Sequence, residues 1–335
     1  MAMTVPIIYS VAHKYPHHEF YVLTRKGWNT MFGDVPHNVK FIEADLKNKH
    51  KGFKGLNKLC QELKSEGFDF VADLHDVLRS KYIRLRLWLA GCKTAHIDKG
   101  RKGKKQLTRQ NNKVFKQQKT SFERYKEVFE RLGFSAESSF TSIFSQSRAK
   151  VEELNSRWGE KGTEKWIGIA AFAKHKGKIY PQEKMEEVIS KLSELEGVKI
   201  FFFGGGKAEE ETTKAWESKY KHTTSVVGKV DMMSELALIS NLDVMISMDS
   251  ANMHLASLVA TPVVSIWGAT HTFAGFLGWG QTKDRCIEVD LSCRPCSVFG
   301  DKDCYRGDYA CMNKITTVEI LSKVSQVANQ EETKS

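Results

Sequence analysis

Residues 243–270 read DVMISMDSANMHLASLVATPVVSIWGAT. The apolar run at 244–247 reads as a buried strand. Asp249-Ser250-Ala251-Asn252 then makes a turn, and Met253, Leu255, Leu258 and Val259 recur at helical spacing. Thr261-Pro262 stops that helix, because proline has no backbone N–H to continue it. Residues 263–267 read as a second buried strand. Strand, turn, helix and strand form the repeating unit of a parallel sheet with covering helices. Ligands of such sheets bind beyond the carboxyl ends of the strands, where the free N–H groups of a helix's first turn attract anions. Asp249 and Ser250 stand at that end. Both are also common helix N-caps, so a purely structural reading is open for them. Ser250 and Ala251 are small enough to let a phosphate approach the backbone, and His254 follows one turn in, where a packed helix residue is the plainer reading.

Upstream, the same alternation continues. Strands are expected at 166–171, 198–203 and 225–227, and helices at 181–196, 207–219 and 232–240, with a closing helix at 316–328. Lys178 lies just before a helix opened by Pro181, near the end of that helix that attracts anions. A lysine so placed neutralises a departing diphosphate without a metal. Alternatively, Lys174, Lys176 and Lys178 are solvated loop charges. Gly204-Gly205-Gly206 makes a tight turn without the G-x-G-x-x-G fingerprint of dinucleotide sites. Glu209 follows, either as an acceptor for sugar hydroxyls or as ordinary acidic bias at a helix start.

The first half is also α/β but begins with a helix, expected at 4–15. Strands at 19–23, 39–42, 68–73 and 94–97 alternate with helices at 53–65 and 77–90, and a helix at 120–132 closes the domain. Between 98 and 119 stand nine Lys or Arg against one acidic residue. Gly100, Gly103, Gln106, Asn111 and Asn112 make this stretch read as a loop. It is either a solvated loop or a holding surface for a phosphorylated or carboxylated acceptor at a membrane face. Asp73, His75 and Asp76, at a strand end, are the general-base candidates of this half. The expected domains are 1–145 and 146–335.

With 335 residues and 41% apolar content, the chain can build two cores. A formal charge of +11 favours acidic partners. No nucleic-acid module is recognisable, so sugars, lipids and phosphates lead that list. No apolar run is long enough to cross a membrane, and the first residues lack the basic start of a secretion signal. Cys60 and Cys92 stand alone in helix-like stretches, as reduced thiols of a cytoplasmic protein do. Cys293-x2-Cys296-x7-Cys304-x6-Cys311 is a true cluster, open to three readings: a structural zinc knot, two disulfides, or reduced loop thiols.

DSANMHLA at 249–256, TPVVSIWGAT at 261–270 and KIYP at 178–181 together resemble the donor-site signature of glycosyltransferase family 9, the ADP-heptose:lipopolysaccharide heptosyltransferases. Ala251 stands where that family usually has glycine, and Tyr180 where it has tryptophan. The resemblance implies a GT-B fold, two Rossmann-like doubly wound domains facing across a cleft. It implies inverting transfer of a heptose or related sugar from ADP-heptose to an acidic lipopolysaccharide-core acceptor, with peripheral contact to the anionic inner membrane. No cofactor is required. Donor binding then falls to Lys178, Glu209, Asp249, Ser250, Ala251, Asn252 and His254, with Lys178 on the diphosphate, Glu209 on the ribose, and Lys178 and Asp249 as catalytic residues. Met3-Thr4-Val5-Pro6 matches just the tail of the family's opening strand and G-D-V-x-x-T-x-P loop. The chain therefore reads as N-terminally shortened, without the loop aspartate that serves the family as base. A non-catalytic nucleotide-sugar-binding protein is the alternative, and a donor other than ADP-heptose a third reading.

Overall fold

A computed structural model describes residues 1–135, 137, 139–144, 149, 158–159 and 161–330. The chain divides into two compact units. Met3–Gly100 and Lys119–Phe140 make the first, and Arg101–Gln118 joins the chain from Thr141 onward in the second. The boundary expected at 145–146 lies outside the described residues.

In the first unit, β1 (Phe20–Arg25) pairs with β2 (Val39–Ala44), and β3 (Phe70–Asp73) with β4 (Lys93–His96), both in parallel. Among the described residues no ladder joins the two pairs. The Phe134 ring contacts Phe20 of β1 at 6.1 Å and Phe70 of β3 at 5.2 Å, so an aromatic side chain touches both pairs. Helix α1 (Val5–Lys14) is buried along every residue from Val5 to Ala12. Helix α2 (Gly52–Ser65) buries Leu56, Leu59, Cys60 and Leu63, the stripe its spacing predicts. Helix α3 (Leu78–Trp88) buries Leu87 alone.

The basic stretch expected to be a loop contains α4 (Arg101–Leu107). Lysine, arginine and glutamine are good helix formers, and one interior glycine costs about 1 kcal/mol relative to alanine, so Gly103 does not prevent it. Leu107 is fully buried, and the Lys104 ammonium sits 4.0 Å from the centroid of Phe276. Helix α5 (Ser121–Leu132) starts with a capping box between Thr120 and Glu123 and ends at Gly133 in the left-handed region.

The second unit holds a six-stranded parallel sheet with strand order β10-β9-β8-β5-β6-β7. These are β5 (Lys165–Ala170), β6 (Val198–Phe202), β7 (Thr223–Ser225), β8 (Val244–Met248), β9 (Val263–Trp267) and β10 (Cys286–Glu288). Central β8 and β9 are buried at every position, as strands covered on both faces must be. The first strand of the unit, β5, lies between β6 and β8, so the topological switch point falls between β5 and β8. Helices α6 (Gln182–Ser193), α7 (Lys207–Lys219), α8 (Met232–Ser240), α9 (Ala251–Leu258), α10 (Ala310–Asn313) and α11 (Thr317–Gln330) complete the unit. Met185, Val188 and Ile189 of α6 and Ile320, Val324 and Val327 of α11 pack on Ile167, Ile200 and Ile246 of the sheet. Each such burial contributes about 1.5–3 kcal/mol. The third strand, expected at 225–227, lies two residues earlier. No helix among the described residues is long and apolar enough to cross a membrane.

Candidate functional site

The loops after β5 and β8 meet at the switch point. The first passes through a single turn at Lys176–Lys178 to Pro181, which caps α6 from outside the helix instead of opening it. The second carries Asp249. Lys178 Nζ lies 2.9 Å from Asp249 Oδ2, with the two side chains 15% and 5% exposed. The contact is an ion pair without hydrogen-bond alignment, and Oδ2 is buried with no hydrogen-bond partner. His254 joins this pair. It keeps an exposed edge, but its Nδ1 is buried and unpartnered. Burial pulls its pKa down to about 4, with Asp249 opposing and Lys178 adding to the shift. Thr270 Oγ1, just beyond β9, is likewise buried without a partner. Buried, unsatisfied polar atoms are rare enough that several at one sheet edge call for an explanation, and a polar ligand supplies it.

Neither Asp249 nor Ser250 caps α9, contrary to the structural reading. Ser250 is the N-cap residue but makes no side-chain cap bond, and its Oγ lies 3.4 Å from Ser247 Oγ. The N–H groups of the first turn are thus left to an incoming anion, beside the partly exposed Ser250 and Asn252 and the exposed Ala251. Beyond β6, Glu209 Oε2 accepts the Gly205 N–H at 2.7 Å, while neighbouring Glu210 pairs along its helix with Lys214. Glu209 is therefore the glutamate turned towards the glycine turn.

In the first unit, Asp73 accepts the N–H groups of His75 and Asp76 at 3.0 and 2.7 Å. Arg84 Nη1 lies 2.9 Å from Asp73 and 3.3 Å from Asp76. Both carboxylates are thereby engaged in shaping their loop. His75 is exposed, and partial burial of its ring and the nearby Lys99 lower its pKa.

A buttress that sequence reasoning missed comes from the cysteine-rich segment. Arg294 is 3% exposed and donates to the carbonyls of Gly268 (2.6 Å), Trp267 (3.1 Å), Thr270 (3.0 Å) and Val289, and to Glu288 (3.2 Å). Cys296 N–H donates to Ala269 O, and Ala269 N–H to Gly177 O. A Cβ on Gly268 would stand 2.4 Å from Gly177 O, so a glycine is needed for the β9 loop to approach the lysine loop. Gly300, at φ +76, packs on Lys178: a Cβ there would stand 2.4 Å from Lys178 Cγ. All seven cysteines are free thiols, and among the described residues no three His, Cys, Asp or Glu side chains are gathered to hold a metal ion.

A doubly wound parallel sheet with polar side chains gathered at its switch point has the architecture whose ligands bind at that edge. The family model of glycosyltransferase family 9 (heptosyltransferase) matches residues 56–304. The chain belongs to that family. Lipooligosaccharide heptosyltransferase 2 of Campylobacter jejuni is 24% identical over 133 residues, and that match spans 38% of this chain and 41% of that protein. A family 9 glycosyl transferase from Veillonella parvula superposes with a TM-score of 0.75 at 19% identity, covering 98% of this chain and 94% of that one. The E. coli ADP-heptose lipopolysaccharide heptosyltransferase II superposes at 0.71 and 14% identity, covering 99% and 96%. An E. coli heptosyltransferase solved with ADP gives 0.67 at 15% identity, covering 97% and 95%. These likenesses give the fold class, α/β with two Rossmann-like units of the GT-B type.

The histidines also set a pH response. His271, against Glu288 at 3.4 Å, is held down to about 4 by burial. Both His254 and His271 titrate lower folded than unfolded, so between about 4 and the ordinary 6.5 the unfolded chain binds the extra protons. Stability therefore falls as pH drops through that interval and is level above it. Glu235, pushed up to about 7 by desolvation, works the other way, losing stability as pH rises from 4.5. Two histidines outweigh one glutamate, so melting temperature should decline on acidification below 6.5. His254→Asn should remove most of that decline, because the His271 and Glu235 shifts that remain are alike in size and opposite in sign; a melting series with an unchanged slope would refute the assignment.

Proposed function

We propose that the chain transfers a heptose or related sugar from an ADP-linked donor to an acidic lipopolysaccharide-core acceptor, with inversion at the anomeric carbon. The observation that carries this is the Lys178–Asp249 pair beside the uncapped first turn of α9. The diphosphate sits on the α9 N–H groups, with the Lys178 ammonium offsetting its charge. Asp249 holds that ammonium in place and, with Ser250, Ala251, Asn252 and His254, surrounds sugar and diphosphate. Glu209 holds the ribose. The acceptor oxygen attacks the anomeric carbon from the face opposite the diphosphate. The bond from that carbon to the phosphate oxygen breaks, ADP leaves with the electron pair, and the hydroxyl proton passes to a base. His75 is the better base candidate of its loop, because Arg84 already engages Asp73 and Asp76. That engagement also favours the second reading, a donor-binding protein without transfer.

The E. coli relative solved with ADP and the relatives described as heptosyltransferases support the donor and acceptor. The setting proposed is cytoplasmic, peripheral at the inner membrane, with no nucleic-acid partner and no required cofactor. A zinc ion on Cys293, Cys296, Cys304 and Cys311 is a structural proposal that metal analysis of the purified chain tests; it enters no step. Calorimetry with ADP and UDP tests the donor: ADP should bind and UDP should bind more weakly. Radiolabelled transfer from ADP-heptose then separates the readings. Binding without transfer supports the second, and failure to bind either nucleotide sinks both.

A further inference from the structure

Helix α3 is turned inside out. Its sequence, LRSKYIRLRLW, holds no acidic residue and buries Leu87 alone. At about 100° per residue, Leu78, Tyr82, Leu85 and the following Leu89 fall within about 60° of one another. This stripe faces away from Leu87. Leu78 is 86% exposed, Leu85 49% and Leu89 67%. Trp88, on the edge of the stripe, is 57% exposed, and Phe53 of α2, 68% exposed, stacks obliquely 5.3 Å from Tyr82. Isolated exposed leucines are ordinary, but a continuous apolar face of this kind marks an interaction surface.

Charge selects the partner. Arg79, Lys81 and Arg86 flank the stripe on α3, and Lys51, Lys54 and Lys58 stand exposed on or beside α2. Arg86 is levelled against the stripe by its bonds to Tyr82 Oη and Asn57 Oδ1. The nearest acids are already matched, Asp76 by Arg84 and Lys81, and Glu62 by Lys49 and His50. Two copies of this face would bring six cations against six, which disfavours self-association through it. An anionic bilayer satisfies both features, leucine and tryptophan at the acyl boundary and lysine and arginine among the headgroups.

We propose that α3, with Phe53, is a membrane-docking face for a bilayer containing anionic lipid. This moves the expected membrane contact away from residues 98–119, where Lys104 is buried on Phe276 and Lys113 donates to the carbonyls of Cys293 and Pro295. The inference rests on the proposed membrane-anchored acceptor for its purpose alone. Docking is measured without donor or acceptor, so its failure leaves transfer to a lipid-free acceptor untouched, and the reverse also holds.

The test is sedimentation of the full chain with phosphatidylglycerol/phosphatidylethanolamine vesicles and with phosphatidylcholine vesicles. The chain should bind the anionic vesicles at least about tenfold more tightly. The triple variant Leu78→Ser, Leu85→Ser, Leu89→Ser should lose at least about tenfold. The double reversal Arg79→Glu, Lys81→Glu should do the same on anionic vesicles. All five side chains are exposed, so circular dichroism and ADP affinity should be unchanged. Brominated lipid should quench tryptophan fluorescence in the natural chain and less in Trp88→Phe. No binding to anionic vesicles, or serine variants that bind as the natural chain does, would overturn the proposal. So would a vesicle-blind dimer that the serine variants dissolve, which would give the face to a second copy.

Discussion

Lys178→Met should lower sugar transfer by about 100- to 1,000-fold, the scale on which removing one preorganised charge from a developing anion acts. Lys178 is the cation held at the switch point, and its stem is fixed by Gly300, which leaves no room for a Cβ beside Lys178 Cγ and Cδ. A flexible surface lysine would be replaceable by its neighbours Lys174 and Lys176; this one is aimed. Lys176 is instead drawn over the Tyr309 ring at 4.8 Å. Removing the lysine also strands its partner. Asp249 is 4% exposed, and without Lys178 its carboxylate is buried and unpaired, a loss of about 3–5 kcal/mol for fully buried pairs. Lys178→Met should therefore melt earlier as well as react more slowly. Lys178→Met with Asp249→Leu should recover the melting temperature but not the rate, because it removes the stranded charge without restoring the cation. Lys178→Arg should not rescue, since a planar guanidinium does not follow the path that Gly300 leaves for a lysine stem. Steady-state kinetics, ADP calorimetry and thermal melts of these variants separate the effects. A Lys178→Met enzyme with the natural kcat would remove the lysine from the mechanism.

Much of the second unit was legible because its strands are buried on both faces. From Trp166 in β5, and throughout β8 and β9, the strands read as apolar runs interrupted by just Gly168, Ser247 and Ser265, which composition and length identify together. Helices α7 and α8 fell at the expected residues because Gly206 and Asp231 stand at their starts. β10 escaped notice, since three residues carry no period. Helix α4 was hidden by its charge: a lysine-rich stretch shows helix formers but no apolar stripe. The site was half legible. Asp249 announces itself at a strand end, and the lysine loop precedes a proline-capped helix. The pairing of the two, across 71 positions of sequence, follows from strand order, which a local reading does not supply. Helix α3 shows the opposite limit. Spacing gives a stripe of leucines, but not whether that stripe faces a core or a bilayer. Arg294 left no trace at all, because its partners are mostly main-chain carbonyls, and every residue has one.

Arg294→Met should be among the most damaging single changes in the second unit, lowering stability by about 3–5 kcal/mol. The natural side chain satisfies carbonyls of Trp267, Gly268, Thr270 and Val289 and neutralises Glu288, all in a place with almost no water. Methionine fills the space and leaves those acceptors without donors, each costing its own desolvation. For a unit of this size the melting temperature should drop by roughly 6–20 °C. Arg294→Lys should fall between, since three donors on one point charge reach fewer carbonyls than a planar fork. A structural filler would stop there; a buttress of the donor loop should do more. Ala269 bridges the two loops, receiving Cys296 N–H on its carbonyl and donating its own N–H to Gly177, next to Lys178. ADP affinity should therefore weaken in Arg294→Met at temperatures where the fold is intact, and guanidinium ion should restore part of it to Arg294→Ala. The histidine reports independently. Burial first, and Arg294 in addition, hold the His271 pKa down against the pull of Glu288, so removing Arg294 should let His271 titrate above about 4, an upward shift that imidazole resonances would register. If Arg294→Met melts with the natural chain and binds ADP equally well, the buttress is refuted.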